Sequence, residues 1–146
     1  MTMAEIKSYT DLRQSEKLEG ILPIKSADMH SEAIEIDGDM VFVVVCGLGD
    51  KNKSNYGSPI WSLGALLDLL PPSIQTGEGM RNQYEIKIRK YWGNEENLYQ
   101  IAYGNNRGLS EEWHDMINTG EKENLIDAAF EMVCWLLKNN YIEKGE

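Results

Sequence analysis

The run Met40-Val41-Phe42-Val43-Val44-Val45-Cys46 holds no polar residue and is dominated by β-branched side chains. That is the composition of a strand, because branched side chains pack well on a pleated surface and lose rotamer freedom in a helix. Directly before it stands Asp37-Gly38, a dipeptide favoured in two-residue hairpin turns because both positions tolerate positive φ. Before that turn, Glu32-Ala33-Ile34-Glu35-Ile36 alternates polar and apolar residues. The three segments together predict a hairpin. Its second strand, apolar on both faces, is expected to be central and covered on both sides.

The rest of the chain has to supply those covers. Ser8-Tyr9-Thr10-Asp11 offers capping side chains ahead of a first helix, Leu12 to Glu19, with Leu18, Ile21 and Leu22 on one face and Pro23 as the stop. Gly47 to Gly57 reads as a polar loop. Ser58-Pro59 has the form of a helix start, a hydroxyl cap followed by proline, and predicts a helix over 60–70 that Pro71-Pro72 ends. Asp68 is its only charge, so burial on most sides is expected. A second loop covers 73–83. Tyr84 to Trp92 alternates, with Tyr84, Ile86, Ile88, Lys90 and Trp92 on one face and Glu85, Lys87, Arg89 and Tyr91 on the other. Leu98 to Tyr103 is its returning strand. Periodicity leaves 111–117 open between a strand and a helical turn. Asn124 caps a last helix over 125–138 whose charges are confined to Asp127, Glu131 and Lys138.

This order predicts the α+β class: an antiparallel sheet of four to five strands with three helices packed mainly on one face. A chain of 146 residues is one domain's length, and a single domain over 1–146 is expected. No apolar stretch approaches a membrane span. The first residues show no basic region leading into an apolar one, so no secretory signal is expected. Cys46 and Cys134, each in an apolar run, make neither a disulfide framework nor a zinc site and suit a reducing cytoplasm. The helices over 60–70 and 125–138 carry more apolar perimeter than a small sheet covers. A homodimer seam and a thick monomer core both account for that surplus.

Chemistry-bearing patterns are sparse. Gly47-Leu48-Gly49-Asp50-Lys51-Asn52-Lys53-Ser54 follows a strand and places Gly47, Lys53 and Ser54 at phosphate-loop offsets. Asn52 replaces the second glycine, however, and no helix opens at Lys53 to aim its amides at a phosphate. His30 and His114 lie far apart and neither has a second ligand type at metal-binding spacing. No catalytic residue, metal ligand or cofactor site is nominated.

Charge is the more informative property. Fourteen basic residues against twenty-four acidic give a formal −10, a field that repels phosphate backbones and favours basic partners. One island over 81–109 is positive. Within it, Arg81, Lys87, Arg89 and Tyr91 combine cations with an aromatic ring, the pairing that grips single-stranded nucleic acid. The competing account makes Lys87 and Arg89 the solvent face of a half-buried strand. The element order from Ile60 to Lys138 matches that of double-stranded-RNA-binding domains in topology. Yet Gly120-Glu121-Lys122-Glu123-Asn124 is net acidic where that family carries phosphate-gripping lysines.

Two longer segments are similar to a known set. Ser58 to Pro71 and Asn124 to Leu136, with Leu22-Pro23 and Ser26-Ala27-Asp28-Met29, resemble small uncharacterised proteins encoded by phages and other mobile elements of gut anaerobes. The shared residues are core helix positions, so the resemblance transfers no site. It implies an accessory protein working inside a bacterial host. The leading expectation is a non-catalytic acidic protein that binds a host or phage protein. One alternative is a single-stranded nucleic-acid binder using the 81–91 strand. Another is a small-molecule or nucleotide sequestering protein whose ligand loop uses Asp50, Lys51, Lys53, Ser54 and Tyr56.

Overall fold

The computed structural model describes residues 7–93, 95–108 and 112–143. The chain belongs to the α+β class, with three α-helices and two antiparallel sheets among the described residues. Backbone contacts divide it into two compact units, one running to Leu69 and one spanning Leu70–Ile142.

The first unit contains α1 (Leu12–Glu19), β1 (Met29–Ile36), β2 (Asp39–Cys46), β3 (Tyr56–Ile60) and α2 (Leu63–Leu69). The start of α1 is set by Asp11, whose carboxylate accepts from Gln14 N at 2.8 Å while the Gln14 side chain accepts from Asp11 N. Such a reciprocal cap is worth about 1 kcal/mol. The predicted hairpin forms: Asp37 and Gly38 both adopt positive φ, and Ile36 pairs with Asp39.

Its second strand is not central. Strand order is β2-β1-β3, so β2 is an edge. Met40 is 66% and Phe42 70% exposed, and none of Val41 to Cys46 is fully buried. The physical reason lies in Ser58-Pro59. These residues do not open a helix; they lie buried in β3, which takes the free edge of β1. Proline is tolerated there because an edge strand has one row of amides without ladder partners. The next helix starts later and is shorter than the expected 60–70. Ser62 Oγ accepts from Ala65 N at 3.1 Å and Asp28 Oδ1 holds Ser62 N at 2.9 Å, so the α2 cap is Ser62. Trp61, fully buried, donates its indole N–H to Ser26 Oγ at 2.9 Å.

The second unit is a four-stranded sheet of order β4-β5-β6-β7, formed by Ser73–Gln75, Gln83–Gly93, Glu96–Asn105 and His114–Asn118, with α3 over Leu125–Lys138. Residues 114–118 are thus strand, and the expected single sheet is two. Asn124 caps α3 by accepting from Asp127 N at 3.0 Å. Ile126, Ala128, Ala129, Met132, Val133, Leu136 and Leu137 are buried on α3, which packs on β6. These seven side chains of α3 are packed inside the chain.

The register between β6 and β7 shifts at Tyr103/Gly104. There the chain of 113–115 crosses so closely that a Cβ on Gly104 would collide with the His114 carbonyl, Trp113 and the Asp115 backbone. Gly104→Ala is expected to destabilise the protein by about 2 kcal/mol, the usual scale of an overpacked buried site, read as a lower urea midpoint at unchanged slope.

Candidate binding groove

The first unit carries a groove of about 530 Å³ between α1 and one face of its sheet. Register explains the floor. Met29, Ser31, Ala33 and Glu35 of β1 oppose Cys46, Val44, Phe42 and Met40 of β2, so these side chains share one face of the sheet. Phe42, Val44 and Ile60 supply apolar floor, and Ser31 and Ser58 supply its polar centre. Those two serines satisfy each other's neighbourhood: Ser58 N donates to Ser31 Oγ at 2.9 Å and the hydroxyls lie 3.4 Å apart. Gly57 is required beside them, because a Cβ there would overlap the Ser31 hydroxyl and press on the Phe42 ring.

The wall is α1 with its approach. Thr10 N donates to Trp61 O at 2.9 Å, and Thr10 Oγ1 accepts from Trp61 N at 3.1 Å and lies 2.7 Å from Ser15 Oγ. These bonds fix the start of α1 against the end of β3. Leu12, 64% exposed, and the exposed carboxylates Glu16 and Glu19 then line the groove. An apolar floor under an acidic wall can seat a segment that is apolar on one side and cationic on the other.

On the opposite face of this sheet His30 is 3% exposed. Its Nδ1 lies 2.7 Å from the Gly47 carbonyl and its Nε2 2.8 Å from Glu32 Oε1. A carbonyl and a carboxylate both only accept, so the two bonds form together only on the doubly protonated, charged ring. The hydrogen bond to Glu32 is the main cause that raises the His30 pKa above its usual value; burial and the Lys53 charge oppose it. Tyr56 stacks on the ring with centroids 5.7 Å apart. Its hydroxyl is buried without a hydrogen-bond partner among the described residues.

The expected ligand loop is therefore divided. Asp50 and Lys51 border a shallow hollow of about 330 Å³ with Ile24 and Leu48. Asp50 Oδ1 accepts from Asn52 N at 2.9 Å, closing a local turn. Lys53 and Ser54 are exposed, and Tyr56 belongs to β3 and the His30 cluster. A strand, not a helix N-terminus, follows the loop.

The basic strand is also drawn into internal contacts. Arg89 binds Asp115 through two bonds of 2.7 Å and Gln100 at 2.8 Å. Trp113 Nε1 donates to the same carboxylate at 2.7 Å. Arg89 first and Trp113 after it hold the Asp115 pKa down at about 2. Lys87 Nζ sits 4.7 Å over the Trp113 ring, and Tyr91, its pKa raised by desolvation and by the Glu121 carboxylate beside it, completes the face. Arg81 lies apart, before β5, at a hollow of about 330 Å³ shared with Arg107 and His114. The structure thus joins Lys87, Arg89 and Tyr91 on one face, with the Arg89 charge paired.

Sequence reasoning missed the groove. The available signal was Leu12, an apolar residue off the buried stripe of α1. Among the described residues no three of His, Cys, Asp and Glu come together as a metal-ligand set, and no helix is long and apolar enough to cross a membrane. Comparison with protein-family models, curated proteins and solved structures gives no match.

The His30 geometry sets a pH dependence. A folded-state pKa raised above the unfolded value of about 6.5 gives stability that is complete below that pH and lost as pH rises through the folded pKa. Amides of residues 47–55, corrected for intrinsic rates, should exchange faster at about pH 9 than at about pH 6, and Glu32→Gln should reduce the difference. Unchanged protection across that range would contradict the charged-ring assignment.

Proposed function

We propose that this protein is a non-catalytic binding protein whose groove seats a basic, apolar segment of another protein. One observation carries the reading: Phe42, Val44, Ile60 and Leu12 form an apolar bed beside exposed Glu16 and Glu19. The formal charge of −10 supports it, because a field of that sign speeds encounter with cationic partners and slows encounter with phosphate backbones. A setting in a phage or mobile element, with a host or phage protein as partner in the bacterial cytoplasm, is the context that fits the sequence resemblance.

The pairing of Arg89 with Asp115 favours this reading over single-strand binding through β5, since that guanidinium already has its counter-ion. A short peptide alternating lysine and leucine should bind at low salt, more weakly as salt rises. Its glutamate counterpart should not bind. Reversing both wall charges, Glu16→Lys with Glu19→Lys, should weaken the basic peptide about tenfold by calorimetric titration. Equal binding of the two peptides, or an unchanged affinity after charge reversal, would overturn the assignment.

A further inference from the structure

We infer that β2 is the seat of a homodimer, in which two copies pair their edge strands antiparallel about a two-fold axis at Val43. The two edges of the first sheet differ in kind. At β3 the edge carries Pro59, and the β1–β3 pairing is shifted between His30 and Glu32. Prolines and irregular pairing are devices that keep an edge from recruiting further strands. Strand β2 has none: from Met40 to Cys46 it carries no charge, proline or glycine, and it pairs regularly with β1 throughout. Charge and geometry both leave it open.

The hairpin fixes which groups are available. In a two-residue hairpin the closing pair, here Ile36 and Asp39, exchanges both backbone bonds. Odd-numbered residues of β2 therefore bond to β1, and Met40, Phe42, Val44 and Cys46 aim their N–H and C=O groups outward. A second copy centred on Val43 sets Phe42 against Val44 and Met40 against Cys46, bonding donors to acceptors along the whole edge. Residues so opposed keep to the same face, so the exposed Phe42 ring packs beside Val44 of the other copy and each groove floor is widened. The same pattern on each chain makes the contact self-complementary.

The full chain should sediment at twice its 16.6 kDa mass at roughly 100 μM. Phe42→Asp, at an exposed position, should keep the native circular dichroism and weaken association at least about tenfold, the scale of burying an unpaired charge. Val43→Cys combined with Cys46→Ser should give a covalent dimer on mild oxidation, since the two Val43 positions face each other in a close, non-hydrogen-bonded pair. A monomer at that concentration, an undiminished dimer in Phe42→Asp, or a dimer that Val43→Cys fails to cross-link would each overturn the inference. A monomeric chain that still takes the basic peptide would leave the groove reading intact.

Discussion

A strand has two hydrogen-bonding edges, and in the first unit both edges of β1 are occupied. The Asp37-Gly38 turn delivers β2 to one side, and β3 arrives on the other. His30, stacked on Tyr56, and Ser31, bonded to Ser58, tie β3 to β1 with polar contacts that an apolar neighbour could not make. The most hydrophobic segment of the chain is left at the margin. Keeping a side chain such as Phe42 in water rather than burying it forgoes about 1.5–3 kcal/mol. The groove, the exposed edge and the uncovered aromatic ring all follow from that one allocation.

The parts of this fold that local physics decides were legible. Asp11 and Asn124 cap helices because their side chains reach the next free amides, and Asp37-Gly38 turns because both residues accept positive φ. Burial was less legible, because it depends on which partner a strand finds. Val41 to Val45 has the pattern of a covered strand, and nothing within it says that β1 is already flanked. Ser58-Pro59 has the form of a helix cap and equally suits an edge strand, and only the tertiary pairing with His30 separates the two. The groove was illegible for the same reason. Its bed is assembled from α1, β2 and β3, and no single segment carries its signature.

The positive island illustrates how charge counted along a chain differs from charge in space. Arg89 lies 26 positions from Asp115, so sequence windows place them in opposite camps. The fold sets them in a bidentate pair, with Trp113 bonded to the same carboxylate and Lys87 over its ring. Gly104 lets the 113–115 backbone come close enough for this, which makes a conformational requirement and an electrostatic one part of the same crossing. Among the described residues, no cation is paired with the Glu16 or Glu19 carboxylate of α1. Glu16 and Glu19 stand exposed, so the acidic character of the groove is local to that wall rather than a property of the net charge alone.

An apolar edge without protection ordinarily invites open-ended stacking. In the dimer inferred for β2, the geometry closes the association after one step. Pairing β2 with β2 uses the bare edge of each copy and exposes β3 at both ends of the joined sheet. At β3, Pro59 removes an amide donor and the shifted pairing spoils the register that another strand would need. In a two-fold contact of this kind, the first sheet offers no regular template for a third copy. The high negative charge works in the same direction, since it opposes non-specific approach while sparing Met40 to Cys46, which carry none of it. The same apolar run on a sheet with two bare edges would offer a template for open-ended stacking. In the inferred dimer, the asymmetry between β2 and β3 is what limits the first sheet to a pair.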